Sequence, residues 1–493
     1  MKILPALFGI ICVLFTSAAK AEERPNILFI LTDDQAAHTL DAYGDQVCDT
    51  PNIDSLAEGG MHLTDAHHMG AWTGAVCTAS RTMIMTGRTV WHLPNFDLAK
   101  ARPLKKLDSP EVAEATQQSM PALFNAAGYD TFRTCKKGNS FNPANQLFQV
   151  RRDKTCRGGA QPGSDWHGDQ AINYLETRQA TNDNDPFLMF LGFSHPHDPR
   201  NGPKELVAKY GAVNTKQPPT TVNPKAPKLP INYLPEHPFH HGHPKLRDEV
   251  AVQGVLKDRS EATVRNEIGR EFACIEAVDI QIGRVLEKLK AMSELKNTYV
   301  IFTSDHGMSV GRHGLMGKQN LYEHTWRVPL LVQGPGIKPG SQASGYTYLL
   351  DVLPTICDFA GIEVPASVEG KSFRPVLEGK TERVRDILYG TYSGGTKPGI
   401  RAVKTDGWKL IKYDVLDGKV CETQLFNLHE NPRELLAQHH THEVVALTGN
   451  KPSPQQVDLA EDPAHAEKLQ ELEALLLAEQ KRLDDPYRLW DQE

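Results

Sequence analysis

Three short polar clusters in this sequence carry residue types that do chemistry. The first is Asp33-Asp34, which ends the apolar run Asn26 to Thr32. Two adjacent carboxylates repel each other, and keeping both ionised calls for a cation between them; oxygen donors of this kind select a hard metal such as Ca²⁺ or Mg²⁺. An isolated Asp-Asp pair serves equally as a helix cap or a solvated turn, because Asp is a preferred capping residue. The second cluster is Thr303-Ser304-Asp305-His306-Gly307, at the end of another apolar run. Asp305 and His306 either complete the same metal shell or belong to a turn that Gly307 allows to bend. The third runs from Cys77-Thr78-Ala79-Ser80-Arg81 to Thr86-Gly87-Arg88. Met83, Ile84 and Met85 with Gly87 beyond them predict a short helix ended by a glycine cap. Cys77 would then lie at the helix N-terminus, where the dipole and free N–H groups favour an anion, and Arg81 one turn later on the same face. That geometry holds an anionic substrate over Cys77; the competing reading is a buried structural cysteine.

The complete third string, Cys-x-Ala-Ser-Arg followed by an apolar stretch and Thr-Gly-Arg, resembles the signature of the type I sulfatases of the alkaline phosphatase superfamily. The resemblance runs from Pro25-Asn26-Ile27 through Asp351-Val352-Leu353-Pro354-Thr355 and Ala360-Gly361 to Leu425-Phe426-Asn427-Leu428. It implies an α/β fold, a large mixed sheet sandwiched by helices, with a smaller C-terminal antiparallel sheet and helix. It also implies that Asp33, Asp34, Asp305 and His306 are calcium ligands, with His306 where other members have Asn. Cys77 matches the nucleophile precursor, which a separate maturation enzyme oxidises to formylglycine, and Arg81 matches its stabilising arginine. Ala79 stands where many members carry Pro. Lys136 aligns with a sulfate-contacting lysine, and Lys318 with a second one. His197, in Ser194-His195-Pro196-His197, matches the histidine near the leaving oxygen. His195 is expected as a substrate or structural neighbour, and His313 as a substrate contact. Many members have a histidine two places after the Lys136 position; here it is Gly138, so that aid to deprotonating the formylglycine hydroxyl is either missing or supplied from elsewhere, with His67 and His68 as the candidates.

Such groups are needed together. Hydrolysing an unactivated sulfate ester requires a barrier reduction on the order of 20 kcal/mol, whereas one preorganised donor supplies roughly 3 kcal/mol. The resemblance therefore leads to a calcium-dependent sulfatase acting on a sulfated carbohydrate. A phosphomonoesterase, phosphodiesterase or phosphonate hydrolase of the same superfamily is the second reading, and a non-catalytic glycan-binding relative the third.

The elements that must carry these residues are legible as periodicity. Asn26 to Thr32, Phe187 to Phe193 and Thr298 to Thr303 are short apolar runs that read as buried strands. Arg270 to Met292 repeats apolar residues at threes and fours and reads as a helix. Strands alternating with helices imply an α/β domain. Residues 201 to 243 are rich in Pro, Lys and His without a period and read as long loops, and the group His237, His240, His241 and His243 there has no diagnostic ligand spacing. Trp166-His167 and Trp326-Arg327 either line a cleft or pack. After Thr381 the runs Ile387 to Thr391, Ile400 to Lys404, Trp408 to Tyr413 and Thr423 to Asn427 predict a small antiparallel sheet. A polar stretch from Gln438 to Asp462 follows, then a last amphipathic helix through Leu469, Leu472, Leu476 and Leu483.

The ends and the composition bound the rest. Lys2, the apolar run Ile3 to Phe15 and Ala19-Lys20-Ala21 read as a cleaved secretory signal over residues 1–21, and the run is shorter than the roughly 20 residues a membrane anchor needs. The expected organisation is therefore a leader (1–21), a catalytic domain (22–380) and a C-terminal subdomain (381–493), in a secreted or periplasmic protein without a membrane anchor. Of 493 residues, 54 are basic and 61 acidic; the formal charge of −7 becomes −9 once Lys2 and Lys20 are removed. With no dense basic tract, nucleic acid is not an expected partner. Seven cysteines remain after Cys12 is lost with the leader, so in an oxidising compartment at least one is free, intermolecular or chemically altered.

Overall fold

The computed structural model describes residues 24–44, 47–242, 257–395 and 397–492; the expected leader, Cys12 and His243 lie outside them. In chain order the strands are β1 (Asn26–Asp33), β2 (Met61–His67), β3 (Gly70–Ala71), β4 (Phe96–Asp97), β5 (Arg102–Pro103), β6 (Asp130–Cys135), β7 (Val150–Asp153), β8 (Phe187–Pro196), β9 (Thr298–Ser304), β10 (Arg327–Gln333), β11 (Ser341–Ala343), β12 (Thr347–Tyr348), β13 (Leu388–Tyr392), β14 (Gly399–Thr405), β15 (Trp408–Val415) and β16 (Val420–Asn427).

A large mixed sheet has the order β11-β2-β10-β9-β1-β8-β6-β7, with β12 also pairing β2. Strands β9, β1, β8, β6 and β7 are mutually parallel, and β10 runs antiparallel between β9 and β2. All eight residues of β1 are buried, because helices cover both faces of the sheet. Alternate residues serve the two layers. Ile27, Phe29 and Leu31 pack with Ile84, Met85, Val352 and Ile356. Leu28 and Ile30 pack with Val278, Ile282, Val285 and Leu289 of the long helix Glu261–Ala291 on the other side. That helix starts nine residues before the expected Arg270, at a Ser260 cap whose side chain accepts the Thr263 N–H.

The predicted antiparallel sheet is present as β16-β15-β14-β13, with a fifth strand, β3, added in parallel from far upstream. Met69, Ala71, Trp72 and Met83 consequently share one core with Tyr389, Tyr392, Ile400, Leu472 and Leu476. Among the described residues, the stretch expected as loops over 201 to 243 contains one helix, Lys204–Lys209, and the polar stretch after Gln438 contains another, His442–Thr448. Each buries a single residue, Val207 or Val444, so neither shows an apolar period. Among the described residues no helix is long and apolar enough to cross a membrane.

Candidate active site

The parallel strands deliver the polar clusters to one edge of the sheet. Thr32 is in register with Ser304, and Asp33 with Pro196, so Asp33-Asp34, Asp305-His306 and the His195–His197 segment leave adjacent strands side by side. Lys136 leaves β6, next in order. This carboxyl edge is where open α/β sheets gather ligands. Cys77 comes from the helix Val76–Thr86, which ends at Gly87 in the left-handed conformation (φ 62°), as the Met-Ile-Met–Gly pattern predicts. Asp34 itself has φ 74°, a strained setting for a residue with a Cβ. Its N–H donates to Asp305 Oδ1 at 3.1 Å, which locks the turn.

Side chains from the other two clusters, together with Lys318, meet at Cys77, which is wholly buried. Its Sγ lies 3.2 Å from His306 Nε2, 3.5 Å from Asp33 Oδ1, 3.8 Å from Asp34 Oδ1 and 3.6 Å from Lys318 Nζ. Arg81 donates from Nε to Asp305 Oδ2 (2.8 Å), and from Nη1 to the Cys135 sulfur (2.9 Å), with Nη2 3.4 Å from Asp33. Lys136 lies on Asp33 at 2.7 Å, and Lys318 on Asp34 at 2.9 Å. Burial alone would raise the Asp33 carboxyl, but Lys136, His197 and Arg81 hold it well below the usual range. Burial likewise opposes a Cys77 thiolate, and Lys136 and Lys318 outweigh it, bringing the thiol down to about 7.

The donor set fits a divalent cation. Asp33, Asp34, Asp305, His306 and Cys77 each offer a ligand atom within 4.8 Å of the others, all of them buried. His306 Nδ1 lies 3.0 Å from the Gly307 carbonyl, which only an N–H can satisfy, so in the neutral ring the Nε2 lone pair faces Asp34 Oδ1 at 3.0 Å and Asp305 Oδ1 at 3.5 Å. Lone pair against carboxylate is repulsive unless a proton or a metal ion lies between them. With protein groups only, burial resists the proton while Asp305 and Asp34 draw it on and raise the His306 pKa well above the ordinary value; a cation would relieve the same repulsion. Gly307 is required here, because a Cβ would lie 2.1 Å from the His324 carbonyl oxygen.

His197 closes the other side. Its Nδ1 donates to the Asp198 main-chain carbonyl at 2.8 Å, with the Asp198 carboxylate Oδ1 2.9 Å away, and its Nε2 points inward, 3.3 Å from Lys318 Nζ and 3.8 Å from Asp34 Oδ2. Burial disfavours the imidazolium, but Asp34, then Asp198 and Asp33, raise its pKa to about 9. Asp198 and Cys135 were not singled out from sequence. Asp198 directly follows His197, and a carboxylate beside a candidate catalytic histidine is a usable signal; the Arg81–Cys135 contact spans two elements and has none.

Other candidates are placed elsewhere. His195 is buried beside the site with Nδ1 2.8 Å from Ser164 Oγ, and burial pushes it down to about 4. His313, expected as a substrate contact, is stacked on Tyr322 (4.0 Å between centroids) with Nε2 2.8 Å from the Glu434 carbonyl, so its ring is used in packing. His67 lies against Trp326 and Glu323. His68 accepts the Gly70 N–H at Nδ1 and donates from Nε2 to Thr325, leaving no free nitrogen to replace the absent histidine at Gly138. Trp326 is buried and packs, donating to the His68 carbonyl. Among the described residues all seven cysteines are free thiols.

Residues 25–362 match the family model described as Sulfatase, and residues 311–451 match "N-sulphoglucosamine sulphohydrolase, C-terminal". An N-acetylglucosamine-6-O-sulfatase from Bacteroides thetaiotaomicron is 27% identical, over 84% of this chain and 82% of its own. A solved structure in complex with its substrate D-glucosamine-2-N,6-O-disulfate superposes with a TM-score of 0.65 at 24% identity, covering 94% of this chain and 98% of that one. A phosphonate monoester hydrolase from Silicibacter pomeroyi has the same fold, with a TM-score of 0.66 at 19% identity, covering 94% and 96%.

Proposed function

The chain belongs to the sulfatase family, a group of sulfuric ester hydrolases, and from that premise we propose an exported, calcium-dependent enzyme that removes sulfate from a carbohydrate through a formylglycine made from Cys77. The observation that carries the reading is the position of the Cys77 sulfur, within 3.8 Å of Asp33, Asp34, His306 and Lys318 at once. The carbohydrate is supported by the sugar sulfates named for the relative and for the substrate complex. Export is supported by the first 21 residues.

Asp33, Asp34, Asp305 and His306 would hold a Ca²⁺, which would supply positive charge beside the sulfuryl group. Cys77, once oxidised and hydrated, would offer two hydroxyls, one able to attack sulfur and the other able to expel sulfate as the aldehyde re-forms. The chain's own groups do the rest. Arg81, fixed by Asp305 and Cys135, presents a rigid guanidinium to the anion. Lys136 and Lys318 add two ammonium groups, which leave their carboxylates for the sulfuryl oxygens. His197 holds a proton at Nε2 for the departing alcohol while the Asp198 main-chain carbonyl fixes the ring at Nδ1 and its carboxylate favours the charged form.

The test is turnover by protein produced with a maturation enzyme, together with mass analysis of the peptide containing residue 77. Hydrolysis of 4-methylumbelliferyl sulfate by an aldehyde-bearing protein supports the reading. The shared fold of the phosphonate hydrolase makes a second activity the specific alternative, and faster turnover of a phosphonate monoester than of any sulfate ester would establish it.

A further inference from the structure

Beside the carboxylate cluster, at the carboxyl ends of β6 and β7, opens a cavity of about 610 Å³. Lys136 is part of its wall, so this cavity and the Cys77 site share one loop. The order β1-β8-β6-β7 places it two to three strands from Asp33, on the order of 10 Å away at the usual strand spacing. That is the reach of a neighbouring sugar or a remote substituent rather than of the sulfate being cleaved.

The lining is cationic. Arg151 and Lys137 are exposed, and Lys137 makes no ion pair among the described residues. The one carboxylate in the wall, Asp153, is already held by the buried Arg133 at 3.0 Å and has Arg151 at 3.8 Å, so a positive excess remains. Asn145, 4% exposed, donates to Ser140 and leaves its Oδ1 without a hydrogen-bond partner. Gly138, at φ 79°, has nothing within 4 Å of where a Cβ would be, so no side chain fills this side of the loop.

Building on the sulfatase reading, we propose that this cavity is a recognition subsite for a second anionic group of the substrate, a carboxylate or another sulfate, with Lys137 and Arg151 as its specificity residues and Asn145 available to a sugar hydroxyl. The enzyme then selects saccharides carrying two negative charges over those carrying only the sulfate to be removed.

Binding is measured by calorimetry on full-length, calcium-loaded Cys77→Ala protein, so that it does not depend on turnover. The probes are a disulfated disaccharide, a monosulfated disaccharide with a uronate, and a neutral disaccharide with one sulfate. The parent protein is expected to prefer the two dianions, and Lys137→Ala or Arg151→Ala to weaken them about tenfold, as for a lost charge-assisted hydrogen bond, while the singly charged probe is unaffected. The dianion that loses more identifies the group bound. No preference in the parent, equal weakening of all three probes, or binding equal to the parent's by both variants would each overturn the subsite. Separately, failure of matured wild-type protein to cleave any sulfate ester would remove the catalytic reading while leaving this binding result interpretable.

Discussion

Nδ1 of His197 donates to the Asp198 main-chain carbonyl at 2.8 Å with the Asp198 carboxylate 2.9 Å away, and the opposite nitrogen of that ring points into the site. The pair divides the work: one residue carries the proton, and its neighbour fixes the orientation and stabilises the charged ring. Asp198→Asn should lower kcat on the order of tenfold to a hundredfold with little change in KM. Because the imidazolium loses a stabilising carboxylate, the alkaline limb of the pH–rate profile should move to lower pH. An unmoved limb in steady-state kinetics would count against the assignment.

Cys77→Ala should abolish turnover and leave the fold in place, since it removes one buried sulfur and no backbone contact, a change of about 1 kcal/mol. Activity assay and thermal melting of the same preparation check both halves.

Arg81→Lys should cost on the order of a hundredfold in kcat. The guanidinium donates in separate directions to Asp305 and Cys135, and an ammonium cannot reproduce that fork. Kinetics with a small aryl sulfate read this directly; near-wild-type activity would reduce Arg81 to a buried counter-charge.

Removal of the metal should lower thermal stability as well as activity. Three buried carboxylates compressed around His306 repel one another without a cation, and an ion present at a hundred times its Kd stabilises the native state by about 2.7 kcal/mol. Melting in EDTA, then with Ca²⁺ restored, measures it.

Acid should destabilise the protein below about pH 6.5 for a reason unrelated to the carboxylates. Burial pushes His237 and His439 down to about 4 and His167 to about 3. His313 is also held well below the ordinary value, by burial and then by His439 and His324. Each binds a proton more readily unfolded than folded, so stability rises with pH between about 4 and 6.5 and is lost as pH falls through that window, by about 1 kcal/mol per such histidine at pH 5.5. Melting temperatures from pH 7.5 to pH 5 should therefore fall, and His439→Gln should flatten the decline.

The central strands, the long helix, the antiparallel sheet and the glycine-capped helix under Cys77 were legible in the sequence because each carries its own periodicity or cap. The types of the reacting groups were legible too: paired aspartates, a cysteine one turn before an arginine, and histidines after an apolar run have few chemical uses in combination. Pairing β3 with β13, turning His313 into a stacked core ring, seating Arg81 on Cys135 and opening a cationic cavity beside Lys136 belonged to the tertiary structure alone. These are contacts between residues distant along the chain, where packing and charge balance in three dimensions decide what local pattern leaves open.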